Sequence, residues 1–168
     1  GIRIQNNFVQ YAEGGIVVKY NTYANISSNR VENCFYGILY EWHQVPIEPS
    51  LETYATVHNN YVVIGDEFGW NASTGFAATY PDDKDTLGCC GIRLNIIGKT
   101  ARVIARDNLV EAANTENNVH AGFAIASLNK GYAVLMDNVV NHVHNGIRVW
   151  GTQESGNDSN YNPYKSQN

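Results

Sequence analysis

An asparagine followed two residues later by a valine recurs five times along the chain. The asparagines are Asn7, Asn29, Asn60, Asn108 and Asn138, and the valines are Val9, Val31, Val62, Val110 and Val140. The residue before each asparagine is short and polar, as is common in turns. The shortest period, from Asn7 to Asn29, lies within the range of proteins that stack one repeat on the next. The pattern therefore predicts a solenoid with one asparagine on every rung.

Apolar residues alternate in front of each asparagine. They occupy the third position before it (Ile4, Ile26, Val57, Ala105, Leu135) and the fifth (Ile2, Ala24, Ala55, Val103, Ala133). This alternation predicts a strand with one buried face. A second phrase follows each asparagine, reading GIVVK from 15, GILYE from 37, GIRLN from 91, GFAIA from 122 and GIRVW from 146. We expect its glycine to supply a positive φ at a corner and the next residue to point inward.

One repeat is therefore a strand, an asparagine corner, a short strand, a glycine corner and a third strand. This frame resembles the right-handed parallel β-helix proteins, which include pectate-lyase-like polysaccharide lyases, glycoside hydrolases and phage tailspikes. The resemblance covers residues 1–150 and implies an all-β, right-handed parallel β-helix of about five coils, and it leaves open that the chain is a fragment of a longer helix. Insertions are expected at 42–54 and 63–90, and residues 151–168 are predicted to form a polar loop or linker.

The composition of the chain limits the classes of partner that the protein is expected to bind. Apolar residues make up 43% of the chain, which suffices for a core, and the net charge is -5 without any run of Lys or Arg. A general attraction to nucleic acid is therefore not expected, nor is membrane insertion, because no apolar stretch approaches the roughly 20 residues of a membrane span. Cys34, Cys89 and Cys90 lack disulfide and zinc spacing and are interpreted as free thiols. The resemblance implies an extracellular or virion-surface location.

Two outward columns are predicted on the third strand of the repeat. The first is Val17, Leu39, Arg93, Ala124 and Arg148, and the second is Lys19, Glu41, Asn95, Ala126 and Trp150. We expect both columns to face solvent on one flat wall, with Trp42 and Trp70 added by the insertions. Aromatic rings cover the apolar faces of sugars while polar groups bind their hydroxyls. The wall is therefore predicted to bind a polysaccharide through Asn95, Arg148, Trp150, Trp42 and Trp70.

Two reactions suit such a wall. A polysaccharide lyase needs a base and a cation beside a uronate, for which Arg93 or Lys19 would be the base and Arg148 the carboxylate clamp. A glycoside hydrolase needs two carboxyl groups, and Glu41 with Asp66 or Glu67 is the candidate pair.

Metal binding has weaker support in the sequence. The acidic run at 82–85 makes Ca²⁺ a candidate, although it lacks the spacing of a calcium loop, and no other cofactor is expected. His142 and His144 lie in a repeat corner without a third ligand, so no metal site is predicted there.

Two non-catalytic alternatives remain open. The chain could be a glycan-binding shaft of a tailspike or adhesin, or a spacer within a trimer without any ligand. A solenoid with open ends exposes strand edges, so we also expect either further coils or an oligomer, such as a homotrimer, to cover them.

Overall fold

The computed structural model describes residues 1–12, 14–19, 23–34, 36–43, 53–65, 90–97, 101–112, 121–128, 131–143 and 145–151. All of the regular structure in these residues is β-strand, and fifteen strands form three parallel sheets of five. No helix among them has the length and apolar character needed to cross a membrane.

Each sheet takes every third strand of the chain. Sheet A contains β1 (Ile2–Gln5), β4 (Tyr23–Ser27), β7 (Thr53–His58), β10 (Ala101–Arg106) and β13 (Tyr132–Met136). Sheet B contains β2 (Phe8–Gln10), β5 (Arg30–Cys34), β8 (Tyr61–Ile64), β11 (Leu109–Ala112) and β14 (Val139–Asn141). Sheet C contains β3 (Gly14–Lys19), β6 (Tyr36–His43), β9 (Cys90–Ile97), β12 (Ala121–Leu128) and β15 (Asn145–Gly151).

The register places equivalent residues of successive repeats over one another. In sheet A, Ile4 pairs with Ile26, Ile26 with Val57, and Val57 with Ala105. Neighbouring strands of a sheet lie about 4.8 Å apart, so each repeat is one rung. The chain is therefore a parallel β-helix of five coils, as the sequence pattern predicts.

The inward columns form one continuous core. Ile26, Val57 and Ala105 in sheet A are fully buried. The valines of the repeat in sheet B and the residues after the glycines in sheet C are buried in the same way, at Val31, Val62, Val110, Ile38, Ile92 and Phe123. The apolar residues of both alternating patterns therefore face the interior, as the sequence predicts. In the last coil, the inward column ends on Ile147 and Val149, which are 56% and 63% exposed.

The asparagines of the repeat form a ladder, which we call the asparagine ladder (Asn7, Asn29, Asn60, Asn108, Asn138). The Nδ2 of each of the first four donates to the Oδ1 of the next asparagine over 2.9 to 3.0 Å. The same Oδ1 also accepts from the backbone N–H of the preceding asparagine, as Asn60 Oδ1 does from Asn29 at 3.0 Å. From the second rung onward, Nδ2 also donates to a carbonyl of the coil before, such as Asn60 to Ile26 at 3.0 Å. The three central amides are therefore buried with their hydrogen-bonding groups paired.

The corner before the ladder uses left-handed backbone. The residue preceding each asparagine has a positive φ, with values of 58°, 55°, 53°, 54° and 52° at Asn6, Ser28, Asn59, Asp107 and Asp137. Short Asn, Asp and Ser side chains suit this conformation because they bond locally to the backbone. The prediction of turn chemistry at this position is confirmed.

The glycines of the third strand have a different role from the one expected. None of Gly15, Gly37, Gly91 and Gly122 has a φ in the left-handed range. A Cβ on Gly37 would instead lie 2.2 Å from Val62 Cγ1 and 2.5 Å from the Gly91 carbonyl oxygen, and the other three meet the valine of the following coil in the same way. The expectation of a positive φ is wrong; glycine is needed because the neighbouring coil occupies the space of a side chain.

The predicted insertions overlap the ends of four described strands. β6 continues through His43 and β7 begins at Thr53, so the segment predicted at 42–54 starts and ends within strands. Likewise β8 ends at Ile64 and β9 begins at Cys90. Residues 44–52, 66–89 and 152–168 lie outside the described residues, and with them the predictions of loop and linker structure there.

Candidate functional site

The predicted wall is the outer face of sheet C. Lys19 pairs in register with Glu41, and Glu41 pairs with Asn95 on the next strand. Arg93 lies two residues before Asn95, in register with Leu39. Arg148 is in the same column as Arg93, with Ala124 on the strand between them. The parallel register therefore gathers residues that are far apart in sequence.

Four of the predicted residues form one chain of contacts with Tyr36, which we call the sheet C network (Lys19, Glu41, Asn95, Arg93, Tyr36). Lys19 Nζ lies 3.8 Å from Glu41 Oε1. Asn95 Nδ2 donates to Glu41 Oε2 at 3.2 Å, and Asn95 Oδ1 accepts from Arg93 Nε at 3.2 Å. Arg93 Nη1 donates to the Tyr36 hydroxyl at 3.3 Å, and the guanidinium lies 5.4 Å from the Tyr36 ring centre.

Burial of this network overturns part of the sequence prediction. Glu41, Arg93 and Asn95 were expected to face solvent, but they are only 5%, 5% and 4% exposed. Lys19 is different, since half of its side chain is exposed. A buried charge is retained only when it is paired and hydrogen-bonded. Asn95 meets this need because its amide donates to the carboxylate with one end and accepts from the guanidinium with the other.

A buried thiol lies beside the network. Cys90 pairs in register with Tyr36 and is 1% exposed. Burial raises the pKa of the Cys90 thiol to about 12, although the charges of Arg93 and Arg148 act to lower it. A thiol with so high a pKa is neutral at physiological pH and is a poor nucleophile. Cys90 therefore belongs to the packing of the wall, and with Cys34 it bears out the interpretation as buried free thiols.

Tyr36 was missed by the sequence reasoning. It stands immediately before Gly37, at a position that carries Gly14, Cys90, Ala121 and Asn145 in the other coils. The alternation rule covers only the residues after the glycine, so it makes no prediction for Tyr36. The one polar aromatic residue in a column of small residues was the available signal.

Several predicted residues fall where their side chains are not described. Asp66, Glu67 and Trp70, together with the acidic run at 82–85, lie outside the described residues. Trp42 and Trp150 lie on β6 and β15, in register with Ile96 and Ala126. The described residues contain no group of three side chains suited to hold a metal ion.

A second concavity lies at the corner between sheets A and B. It encloses about 510 Å³ and is lined by residues of the first three coils, including Phe8, Arg30 and Tyr61. The Arg30 guanidinium lies 5.6 Å from each of the two ring centres, and its Nε donates to Glu32. Because Arg30 already pairs with two rings and a carboxylate, this corner is interpreted as a surface cluster and not as a ligand site.

Comparison of the chain with protein-family models, curated proteins and solved structures gives no match.

Proposed function

We propose that this chain binds an acidic polysaccharide along the outer face of sheet C and cleaves it at the sheet C network. The observation that carries this proposal is the convergence of Lys19, Glu41, Asn95 and Arg93 into one set of contacts across three neighbouring coils. The resemblance of the repeat to pectate-lyase-like enzymes and tailspikes supports the same proposal. Such a polymer would be met outside the cell or at a virion surface.

Lys19 is the member of the network that would contact the sugar. Half of its side chain is exposed, whereas Glu41, Arg93 and Asn95 are buried. Glu41 would hold the lysine in place over 3.8 Å. In an elimination, the neutral amine of Lys19 would take the proton next to the uronate carboxylate, a double bond would form in the sugar ring, and the glycosidic bond would break with the departing oxygen taking a proton from water. Arg148 lies four strands away in sheet C, about 19 Å at about 4.8 Å per strand, so it would bind the carboxylate of a different sugar along the polymer.

Hydrolysis would use the same face differently. Glu41 would be one member of the carboxyl pair, with its Oε2 held by Asn95 and its Oε1 beside Lys19. A second carboxyl group is required, and Asp66 or Glu67 would have to supply it. Elimination is the reaction that the described residues support better, because hydrolysis needs a second carboxyl group from outside the described part of the chain.

The test is to incubate the chain with uronate-containing and neutral polysaccharides. Unsaturated ends absorb in the ultraviolet and indicate elimination, whereas new reducing ends without that absorbance indicate hydrolysis. We expect Lys19→Ala and Glu41→Gln to lower the rate by about 100-fold or more. Glu32→Gln is the matched control, because Glu32 is a strand carboxylate paired with Arg30 on sheet B. Activity that survives both sheet C substitutions would refute the proposed site.

Glycan binding without turnover is the second candidate, and the burial of Glu41, Arg93 and Asn95 favours it. A network so enclosed stabilises the wall whether or not it reacts. In that case calorimetry would show saturable binding of a polysaccharide without products, and Glu41→Gln would lower the unfolding midpoint while leaving affinity unchanged. Further coils or a trimer would then extend the binding wall.

A further inference from the structure

The outer face of sheet A has a charge unlike that of the whole protein. The chain has a net charge of -5, yet the five strands of sheet A contain no Asp or Glu. Their charged side chains are Arg3, Arg102 and Arg106, and all three are exposed. Sheets B and C carry Glu32, Glu111 and Glu41 beside their own basic residues. The strands of sheet A are therefore purely basic, although Asp107 and Asp137 directly follow β10 and β13.

Exposed tyrosines run along the same face in one column. Tyr23 pairs in register with Tyr54, and Arg102 pairs with Tyr54 on one side and with Tyr132 on the other. The tyrosines are 57%, 41% and 60% exposed. Because the strands lie about 4.8 Å apart, three phenol rings and one guanidinium follow one another along the axis at that spacing. We call these four residues the tyrosine column.

Core packing does not account for the tyrosine column. The inward residues of these strands, such as Ala24, Ala55 and Val103, already fill the interior. A row of large rings left in solvent marks a surface that contacts a partner. Tyrosine suits such a surface because the ring packs against apolar groups and the hydroxyl bonds to polar ones.

The second and third columns of the face add polar groups beside the rings. Gln5 Nε2 donates to Ser27 Oγ at 3.0 Å and to Asn25 Oδ1 at 3.4 Å. Arg106 pairs with Asp107 at the corner. Burial and then the positive charge of Arg106 lower the pKa of His58, while Asp107 raises it.

We propose that the outer face of sheet A is a second binding site, which holds an extended polysaccharide bearing carboxylate or sulfate groups along the coil axis. Tyr23 and Tyr54, on neighbouring strands, pack against sugar rings, Arg102 on the next strand pairs with an anionic group, and Tyr132 packs against a sugar beyond it. This site requires no chemistry at sheet C and does not depend on the proposed cleavage. It would anchor a long chain on a different side of the molecule.

A nucleic acid fits the same face less well. Its strands carry one phosphate at every nucleotide, and binding depends on neutralising many of them. Three arginines on a chain of net charge -5 supply little of that attraction. An anionic sugar chain fits better, because the three rings can pack against sugars while Arg102 pairs with an anionic group.

The test measures the affinity of the whole chain for four probes by calorimetry: an oligogalacturonate, a sulfated galactan oligomer, a neutral glucan oligomer and a single-stranded DNA of similar length. We expect binding of at least one anionic sugar, weakened by salt, and weaker binding of the neutral glucan. The two anionic probes distinguish carboxylate from sulfate recognition. Tyr54→Ala and Arg102→Gln should each weaken that binding about 10-fold or more, and Tyr54→Phe should retain most of it.

Phe8→Ala is the matched control, because Phe8 is an aromatic residue of sheet B that is 58% exposed. Circular dichroism should show all four variants folded, since the residues are at the surface. The Tyr54 and Arg102 substitutions lie outside sheet C, so a loss of affinity in these variants is assigned to sheet A. Binding of neither anionic sugar, tighter binding of DNA, or an equal loss in Phe8→Ala would overturn the proposal.

Discussion

Replacing Asn60 by alanine removes the central amide of the asparagine ladder. Asn60 is 2% exposed, and its side chain makes four hydrogen bonds. Its Nδ2 donates to Asn108 Oδ1 and to the Ile26 carbonyl, both at 3.0 Å. Its Oδ1 accepts from the backbone N–H and from Nδ2 of Asn29, both at 3.0 Å. Alanine keeps the hydrogen bond from its own backbone N–H to Asn108 Oδ1 and loses these four.

The loss of stability follows from the buried groups that lose a hydrogen-bond partner. The buried N–H of Asn29 loses the acceptor that the ladder provides, and a buried donor left unsatisfied costs about 1–3 kcal/mol. Asn29 Nδ2 and Asn108 Oδ1 each keep one of their bonds, so their losses are smaller. We expect a total loss of about 3–5 kcal/mol in the free energy of unfolding. This is a large part of the roughly 5–15 kcal/mol that stabilises most folded proteins.

Asn7→Ala is the matched control, since it removes the same side chain from the exposed end of the ladder. Water replaces its bonds to Asn29 Oδ1 and the Gln5 carbonyl, so the expected loss is below about 1 kcal/mol. Urea unfolding followed by circular dichroism measures both variants. Hydrogen exchange adds a local readout, because the Asn29 amide should lose protection in Asn60→Ala and keep it in Asn7→Ala. Equal losses in the two variants would refute the reasoning from burial.

Three further predictions concern the core and the wall. Gly37→Ala should destabilise the protein by about 2 kcal/mol or more, because its Cβ would lie 2.2 Å from Val62 Cγ1. Gly146→Ala is the control, since a Cβ there meets nothing within 4 Å, and its stability should change by less than about 0.5 kcal/mol. Equal unfolding midpoints in the two variants would contradict this prediction. Because the pKa of Cys90 is raised to about 12, the stability that its neutral thiol contributes is present below about pH 9 and is lost as the pH rises. Denaturant titrations should show about 2–3 kcal/mol less stability at about pH 11. An equal loss in Cys90→Ala over the same pH range would refute this assignment. Asn60→Asp should be less stable at neutral pH than in acid, because its buried carboxylate would face the Ile26 carbonyl and Asn108 Oδ1, which are both acceptors. Its unfolding midpoint should therefore rise on acidification. A midpoint that does not depend on pH would contradict the ladder geometry.

The candidate site could be predicted only in part. The repeat frame placed Lys19, Glu41, Arg93 and Asn95 on one face, because parallel register follows directly from aligned repeats. It did not predict that three of these side chains are buried. Burial depends on the whole fold around a residue, whereas the pattern defines only the side of the strand on which it lies. The same limit applies to Tyr36, whose contact with Arg93 joins residues far apart in sequence.

The glycines show why a correct pattern can carry a wrong reason. Glycine at a corner suggests a positive φ, but this conformation is adopted by Asn6, Ser28 and their equivalents instead. What requires glycine is the valine side chain of the following coil. A contact between coils cannot be read from the local sequence of either one.

The amino-acid sequence by itself determined the architecture of this protein. Alternating apolar residues, a turn residue with a short side chain and an asparagine on every rung are local requirements, and they repeat in phase, so stacking follows from them. Only the tertiary structure decided which outward charges are buried in the sheet C network and which remain in solvent on sheet A. Solvent access and pairing depend on groups brought together across coils, and one repeat does not contain that information.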